Sequence, residues 1–207
     1  MNTKHVILFV LILCVSFGYA QTPEQEEAAE LAKKLSNPVA SLISVPFQNN
    51  TDYGIGPNNG TRNTMNFQPV IPVSLNEKWN LIGRLILPVI TQYNITAPGA
   101  KENGLSDAVV SGFFSPKQSK VIWGVGPAIL IPTGTDDYLT SEKFGVGPTA
   151  LVLQQKKGWT YGVLVNQIWS VAGSDDRPDV NQMFLQPFLV HNWKSGAGLG
   201  ANMEMTQ

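Results

Sequence analysis

"KVIWGVGPAILIPTGTDD" at residues 120–137 is followed by a partial echo, "KFGVGPTALVLQQ", at residues 143–155. Both place Gly-Val-Gly-Pro inside an apolar run, although glycine weakens a strand and proline cannot donate to its ladder. The period decides what these runs are. In 120–131 the odd positions are Val121, Trp123, Val125, Pro127, Ile129 and Ile131, while Gly124, Gly126 and Ala128 share the even face. Alternation with period two is a strand signal. A soluble sandwich would turn a charged face to water, whereas here one face is apolar and the other is small. Gly124, Gly126, Gly145 and Gly147 therefore read as lumen glycines of a barrel, keeping its interior clear or letting strands bend. The prolines call for bulges.

Two nucleotide-binding readings of Gly124-Val125-Gly126 fail. There is no third glycine at dinucleotide-fold spacing and no following Gly-Lys-Ser/Thr. Neither copy opens a helix whose N-terminus would hold a phosphate.

Outward from this pair the chain alternates two kinds of connection. Short basic turns fall at 75–78, 116–119, 155–158 and 192–195, and longer polar loops at 49–63, 92–105, 133–142 and 172–181. The runs between them predict strands at 40–48, 64–74, 79–91, 106–115, 120–132, 143–154, 159–171, 182–191 and 196–207. Strands of about nine to eleven residues in this rhythm are the mark of an outer-membrane barrel. The expected fold class is thus all-β: an antiparallel transmembrane up-and-down β-barrel with a short N-terminal helix. In 79–91 Trp79, Leu81, Leu85, Leu87 and Val89 share a face opposite Arg84. In 159–169 Trp159, Tyr161, Val163, Val165 and Trp169 oppose Thr160, Gly162 and Asn166.

Charge follows the same rhythm. Lys78, Lys117, Lys120, Lys156, Lys157 and Lys194 lie at the short-turn end. Asp52, Glu102, Asp107, Asp136, Asp137, Glu142, Asp175, Asp176 and Asp179 lie at the long-loop end, and between the ends almost only Arg84 and Glu204 are charged. A lysine or arginine facing the bilayer midplane costs about 2–4 kcal/mol, so this sorting is what hydrocarbon would impose. Trp79, Trp159 and Trp193 at one rim and Tyr93, Tyr138 and Trp169 at the other fit two interfacial belts.

Residues 1–20 read as a secretory signal peptide: Lys4 and His5, an apolar stretch Val6–Val15, then Gly18-Tyr19-Ala20 before cleavage. Cys14, the only cysteine, leaves with it, and Leu13 before it does not suit a lipoprotein signal. A cysteine-free exported chain suits a bacterial envelope. Of 14 basic and 15 acidic residues only Lys4 is lost, so nothing basic enough for nucleic acid remains. Residues 21–37 predict the helix, with Thr22 as its cap and Pro23 at the first position, lying in the periplasm or at the barrel mouth. Residues 38–207 form the barrel domain.

No catalytic, cofactor-binding or metal site is expected. His191 is the sole histidine after the leader, read as interfacial, and no nucleophile elbow exists. One histidine without cysteine makes no zinc set. Asp136-Asp137 and Asp175-Asp176 read as solvated loop acids. Candidate lumen-lining residues are Arg84, Asp107, Gln68, Asn166 and Gln186. Arg84 and Asp107, paired across the lumen, would make a charge filter or an interior salt bridge holding the wall.

"GLSDAVVSGFFSPKQSKVIWGVGPAILIPTGTDDYLTSEKFGVGPTALVL", "WTYGVLVNQIWSVAGSDDR" and "LAKKLSNPVASLISVPFQNN" resemble bacterial outer-membrane proteins grouped under a MetA pathway of phenol degradation, some of which carry a neuromedin U name. The resemblance runs from about Leu31 onward and implies a barrel of about twelve strands that moves small, hydrophobic or aromatic compounds. Such proteins end in an aromatic closing strand, whereas this chain stops at Glu204-Met205-Thr206-Gln207, which is the expectation of a truncated barrel. The expected function is passive admission of small solutes, with outer-membrane lipid and the solute as partners and no nucleic acid. The alternatives are a non-conducting structural or surface-binding barrel, and a soluble periplasmic barrel holding an apolar ligand.

Overall fold

A computed structural model describes residues 23–206. The leader and the Thr22 cap lie outside these residues. Helix α1, Pro23–Leu35, has Glu24 and Glu26 in its first turn and Lys33 and Lys34 in its last, matching the helix dipole at both ends. It packs at the short-turn end. There Gln155 Nε2 donates to the Lys33 carbonyl at 2.8 Å and Asn192 Nδ2 donates to Ser36 Oγ at 2.8 Å.

The strand expected at 40–48 does not form. Residues 37–46 instead run irregularly inside the curled sheet, with Val39 and Ala40 buried and a single bridge from Ser44 to Val70. Pro38 and Pro46 remove ladder donors from this stretch, and Asn80 Nδ2 holds it by donating to Ser41 Oγ at 2.8 Å.

The strands are β1 Phe47–Ile55, β2 Gly60–Phe67, β3 Val70–Ser74, β4 Trp79–Tyr93, β5 Lys101–Leu105, β6 Ala108–Pro116, β7 Ile122–Ile131, β8 Lys143–Lys156, β9 Trp159–Gly173, β10 Asn181–Asn192, β11 Gly198–Asn202 and β12 Met205–Thr206. All pair antiparallel, in the order β1-β2-β4-β6-β7-β8-β9-β10-β11. β3 continues β2 along one side of β4, β5 and β6 share its other side, and β12 continues β11 along β10. The result is an up-and-down antiparallel sheet of nine strand paths curled into a half-barrel. The polar stretch 49–63, expected as a loop, is the β1–β2 hairpin. It lacks the apolar alternation that betrays the other strands. The Lys157-Gly158 turn has φ of 51° and 82°, the left-handed pair that matches strand twist in a two-residue hairpin.

The prolines explain where the ladder breaks. Pro127 of β7 stands directly opposite Pro148 of β8. Neither has an N–H, so this must be a non-hydrogen-bonded pair, and both nitrogens point away, toward β6 and β9. On those outer sides pairing is interrupted at Gly112-Phe113 and at Gln167-Ile168. Pro88 faces the break between β5 and β6, where three steps along β4 match four along its partner, a one-residue bulge. Pro187 faces the break between β11 and β12. The bulge expected at Gly-Pro itself is absent. The register of the β8–β9 pair shifts at Phe144/Gly145 instead.

The glycines of the repeat face inward as expected, but they do not border open space. A Cβ on Gly126 would collide with the Gly112 carbonyl oxygen, and one on Gly147 with that of Gln167. These are the carbonyls that Pro127 and Pro148 leave without a donor, and each leans over the glycine that precedes the proline. Gly124 gives room to Phe113 and Val39, and Gly145 to Ile168 and Leu130.

The interior is not uniformly small or polar. Val39, Val70, Ile82, Phe113, Leu151, Leu153 and Leu164 form a buried cluster nearer the short turns, and Ala128, Leu130 and Ile168 a second toward the long loops. Phe113 of β6, Val39 of the 37–46 stretch, Leu130 of β7 and Ile168 of β9 fill the space that Gly124 of β7 and Gly145 of β8 leave.

Candidate functional site

Alternation along β4 sends Ile82, Arg84 and Ile86 inward, so the lone charged residue of that row is carried to the middle of the half-barrel. Gln68 occupies the break between β2 and β3, and is buried. There its amide is oriented by a charge at either end of a chain. Arg84 Nη2 donates to Gln68 Oε1 at 2.7 Å, and Gln68 Nε2 donates to Gln48 Oε1 at 2.9 Å. Gln48 Nε2 donates to Glu204 Oε1 at 3.1 Å. Gln186 Nε2 at 2.9 Å and Asn202 Nδ2 at 3.1 Å converge on the same carboxylate oxygen. A cation requires an acceptor and a carboxylate requires donors, so every amide points the same way. This relay joins the first strand to the break between β11 and β12.

Arg84, Gln68 and Gln186 are thus brought together. Asn166 lies inward on β9 beside Arg84, in a shared small cavity. Asp107 is a correction: it does not face Arg84. It sits in the bulge between β5 and β6, where its carboxylate accepts from Gly134 N, Thr140 Oγ1, Ser141 N and Ser141 Oγ. Asp107 fastens the 132–142 loop to the wall, and the acid on Arg84's relay is Glu204. Glu204 stood out in the sequence only as an exception to charge sorting. Gln48 was hidden because its strand carries no apolar pattern.

Two interior cavities meet at Arg84. One, of about 590 Å³, is bounded by residues 34–46 and by inward residues of β1, β10 and β11. The other, of about 100 Å³, lies deeper between β4, β6, β8, β9 and β10 and is lined by Ile86, Val109, Phe113, Leu164, Ile168 and Phe184 together with the polar Ser111, Thr149, Asn166 and Gln182. Amides therefore line both cavities, and the deeper one has the more apolar surface.

At the long-loop end, Arg177 donates to Glu142, which raises the Arg177 pKa above its ordinary value. Buried Lys143 donates to Asp179 at 3.1 Å, and Ser170 Oγ donates to the same oxygen. Asp179 is held below the ordinary value of 3.8, first by the Lys143 hydrogen bond and then by Ser170. A depressed carboxylate stabilises the fold above its unfolded pKa, and that contribution disappears as pH falls through the lower, folded value. The 174–180 loop is accordingly expected to loosen below pH 3.8. Asp179→Asn should loosen it at neutral pH and remove that acid step. Limited proteolysis across a pH series, followed at 174–180, reads this; an unchanged acid step in the variant would assign it elsewhere.

His191 packs between Trp159 and Trp193, with ring centroids 4.5 and 5.0 Å away, at the short-turn rim. Among the described residues no group of three His, Cys, Asp or Glu converges to hold a metal ion.

The fold and interior define a class: an up-and-down antiparallel half-barrel with a polar relay inside and apolar residues outside. Comparison with known proteins finds no matching family model, no curated relative and no similar solved structure.

Proposed function

We propose that the protein is an outer-membrane β-barrel that passively admits small, partly hydrophobic solutes through the interior beside Arg84. The observation that carries this is the outward face. On β4, β7, β8, β9 and β10 the outward rows are apolar and uncharged from Trp79 to Val89, Trp123 to Ile131, Phe144 to Val152, Trp159 to Val165 and Met183 to Leu189. Val125, Val146, Val152, Tyr161 and Leu189 are each at least 36 % exposed. Water does not tolerate so continuous an apolar surface on a monomer, whereas lipid does.

The dimensions support the same reading. Trp159 and Trp169 both face outward on β9 and lie ten residues apart. That is about 33 Å along a strand and about 25 Å after the tilt typical of membrane barrels, which equals the height of their apolar band. The Trp159–His191–Trp193 stack and the lysines beside it then lie at one interface, with Tyr93 and Trp169 at the other. The helix rests at the short-turn, periplasmic rim. The resemblance of residues 104–153 to outer-membrane proteins of a phenol-degradation pathway points the same way.

The test is fractionation followed by reconstitution. The protein is expected in the outer membrane, migrating faster on a gel unboiled than boiled, and conducting ions across a planar bilayer. Recovery as a free periplasmic protein would make the apolar face a ligand- or partner-covered surface. A membrane barrel that admits no solute would leave the non-conducting structural role.

A further inference from the structure

Arg84 is the one residue that lines both the wide cavity by the N-terminal segment and the small apolar cavity behind it. Its side chain is only partly exposed. Its acceptor is a neutral amide oxygen, that of Gln68, and among the described residues no carboxylate stands within ion-pair distance of it. Glu204 acts on it through two intervening glutamines and is itself satisfied by three amide donors. A guanidinium carries five N–H donors in a planar fork that matches a carboxylate. Withdrawn from water, it lacks the paired anion that would compensate its charge.

On one side of this fork lies the wide, amide-bearing approach, and on the other a cavity of about 100 Å³ whose surface is mostly apolar, from Ile86, Phe113, Leu164, Ile168 and Phe184, with Asn166 and Gln182 among its polar residues. The inner end of the space is the more apolar of the two. We infer that the solute of this interior is a small monocarboxylate with a short apolar body, its carboxylate held by Arg84 and its hydrocarbon directed into the inner cavity. The specificity rests on the solute-admitting reading above, and adds to it the chemical class and the selecting residue. A neutral amide of the same shape has no charge to offer Arg84 and loses a charge-assisted pair. Glu204, across the relay, is the opposing element: its negative charge weakens the site for anions.

Pentanoate and pentanamide are the probes, and equilibrium dialysis against the full chain in detergent is the measurement, with protein-free micelles subtracted. Pentanoate is expected to bind about ten- to a hundredfold more tightly than pentanamide, the range for hydrogen bonds to a charged group. Arg84→Gln should bring the two ligands to equal affinity. Arg84→Lys should keep part of the preference, since it retains the charge and loses the fork. Glu204→Gln should tighten pentanoate and leave pentanamide unchanged. Equal binding of the two probes by the unaltered chain overturns the inference, as does a preference that survives Arg84→Gln. If Arg84→Gln does not fold, an unchanged pentanoate affinity in Glu204→Gln, together with full affinity in Arg84→Lys, overturns it as well.

Conductance across a planar bilayer, measured on the same preparation, separates this from the function it rests on. Conductance without carboxylate preference removes the specificity alone. Carboxylate preference without conductance removes passive admission and leaves a binding site.

Discussion

Replacing Gly147 with alanine is expected to destabilise the barrel wall by about 1–3 kcal/mol, the usual penalty for forcing an extra carbon into packed space. Here the obstruction is backbone, because the new Cβ falls on the Gln167 carbonyl oxygen, and a carbonyl in a strand paired on either side of it cannot swing away as a flexible side chain does. The cause lies one residue further on. Pro148 faces Gln167 on the β9 side but has no N–H to offer, so the carbonyl has moved across to the space that glycine leaves. Proline and glycine therefore act as a unit, and their effects should not add. Pro148→Val in the Gly147→Ala background restores a donor, lets the carbonyl return to the ladder, and should recover much of the loss. The same pairing holds for Gly126, Pro127 and Gly112. Denaturant midpoints of the two single variants and the double variant decide it. If the double loses as much as the two singles together, the clash has another origin.

Phe113→Ala should cost about 3–5 kcal/mol, as large-to-small changes of buried aromatics do. Phe113 is 1 % exposed, belongs to the cluster with Val39, Ile82 and Leu164, and lies against the face of Gly124. Its neighbours Ile82, Leu151 and Leu164 sit in paired strands and cannot move far into the space it leaves. The adjacent Phe114 points outward at 44 % exposure, and Phe114→Ala should be the milder change because mobile solvent or lipid closes over the missing ring. Equal losses in the two variants would mean that the inward cluster does not hold the sheet. The Val39 contact adds a second readout: Phe113→Ala should raise protease access to residues 37–46, which pack inside against it.

These two variants probe what the Gly-Val-Gly-Pro stretches left open. Their period of two was legible, as were the inward glycines, because alternation along a strand is set by local backbone geometry. Apart from β5, which lies in the stretch 92–105 expected as a loop, the strand paths from residue 79 onward and the four short turns could be read for the same reason. β1 could not. Its residues 47–55 are almost all polar, and their pairing with β2 depends on the partner rather than on any apolar row of their own. The expected strand at 40–48 does not form as read, because a few apolar residues between prolines look alike whether they enter a ladder or fill an interior.

For the candidate site, the sequence by itself placed Arg84, Gln68, Asn166 and Gln186 on inward faces, since parity along a strand needs no partner. It also set Arg84 and Glu204 apart as charges away from the rims. Which groups meet was decided by tertiary structure. A one-residue bulge opposite Pro88 separates Asp107 from Arg84's row and turns it toward the 132–142 loop. Sheet curling brings Glu204 to Gln48 across 156 positions of chain. Parity is a property of each strand alone, whereas bulge position and curl come from how all the ladders fit together. The sequence therefore determined the faces, and only the folded sheet determined the contacts across them.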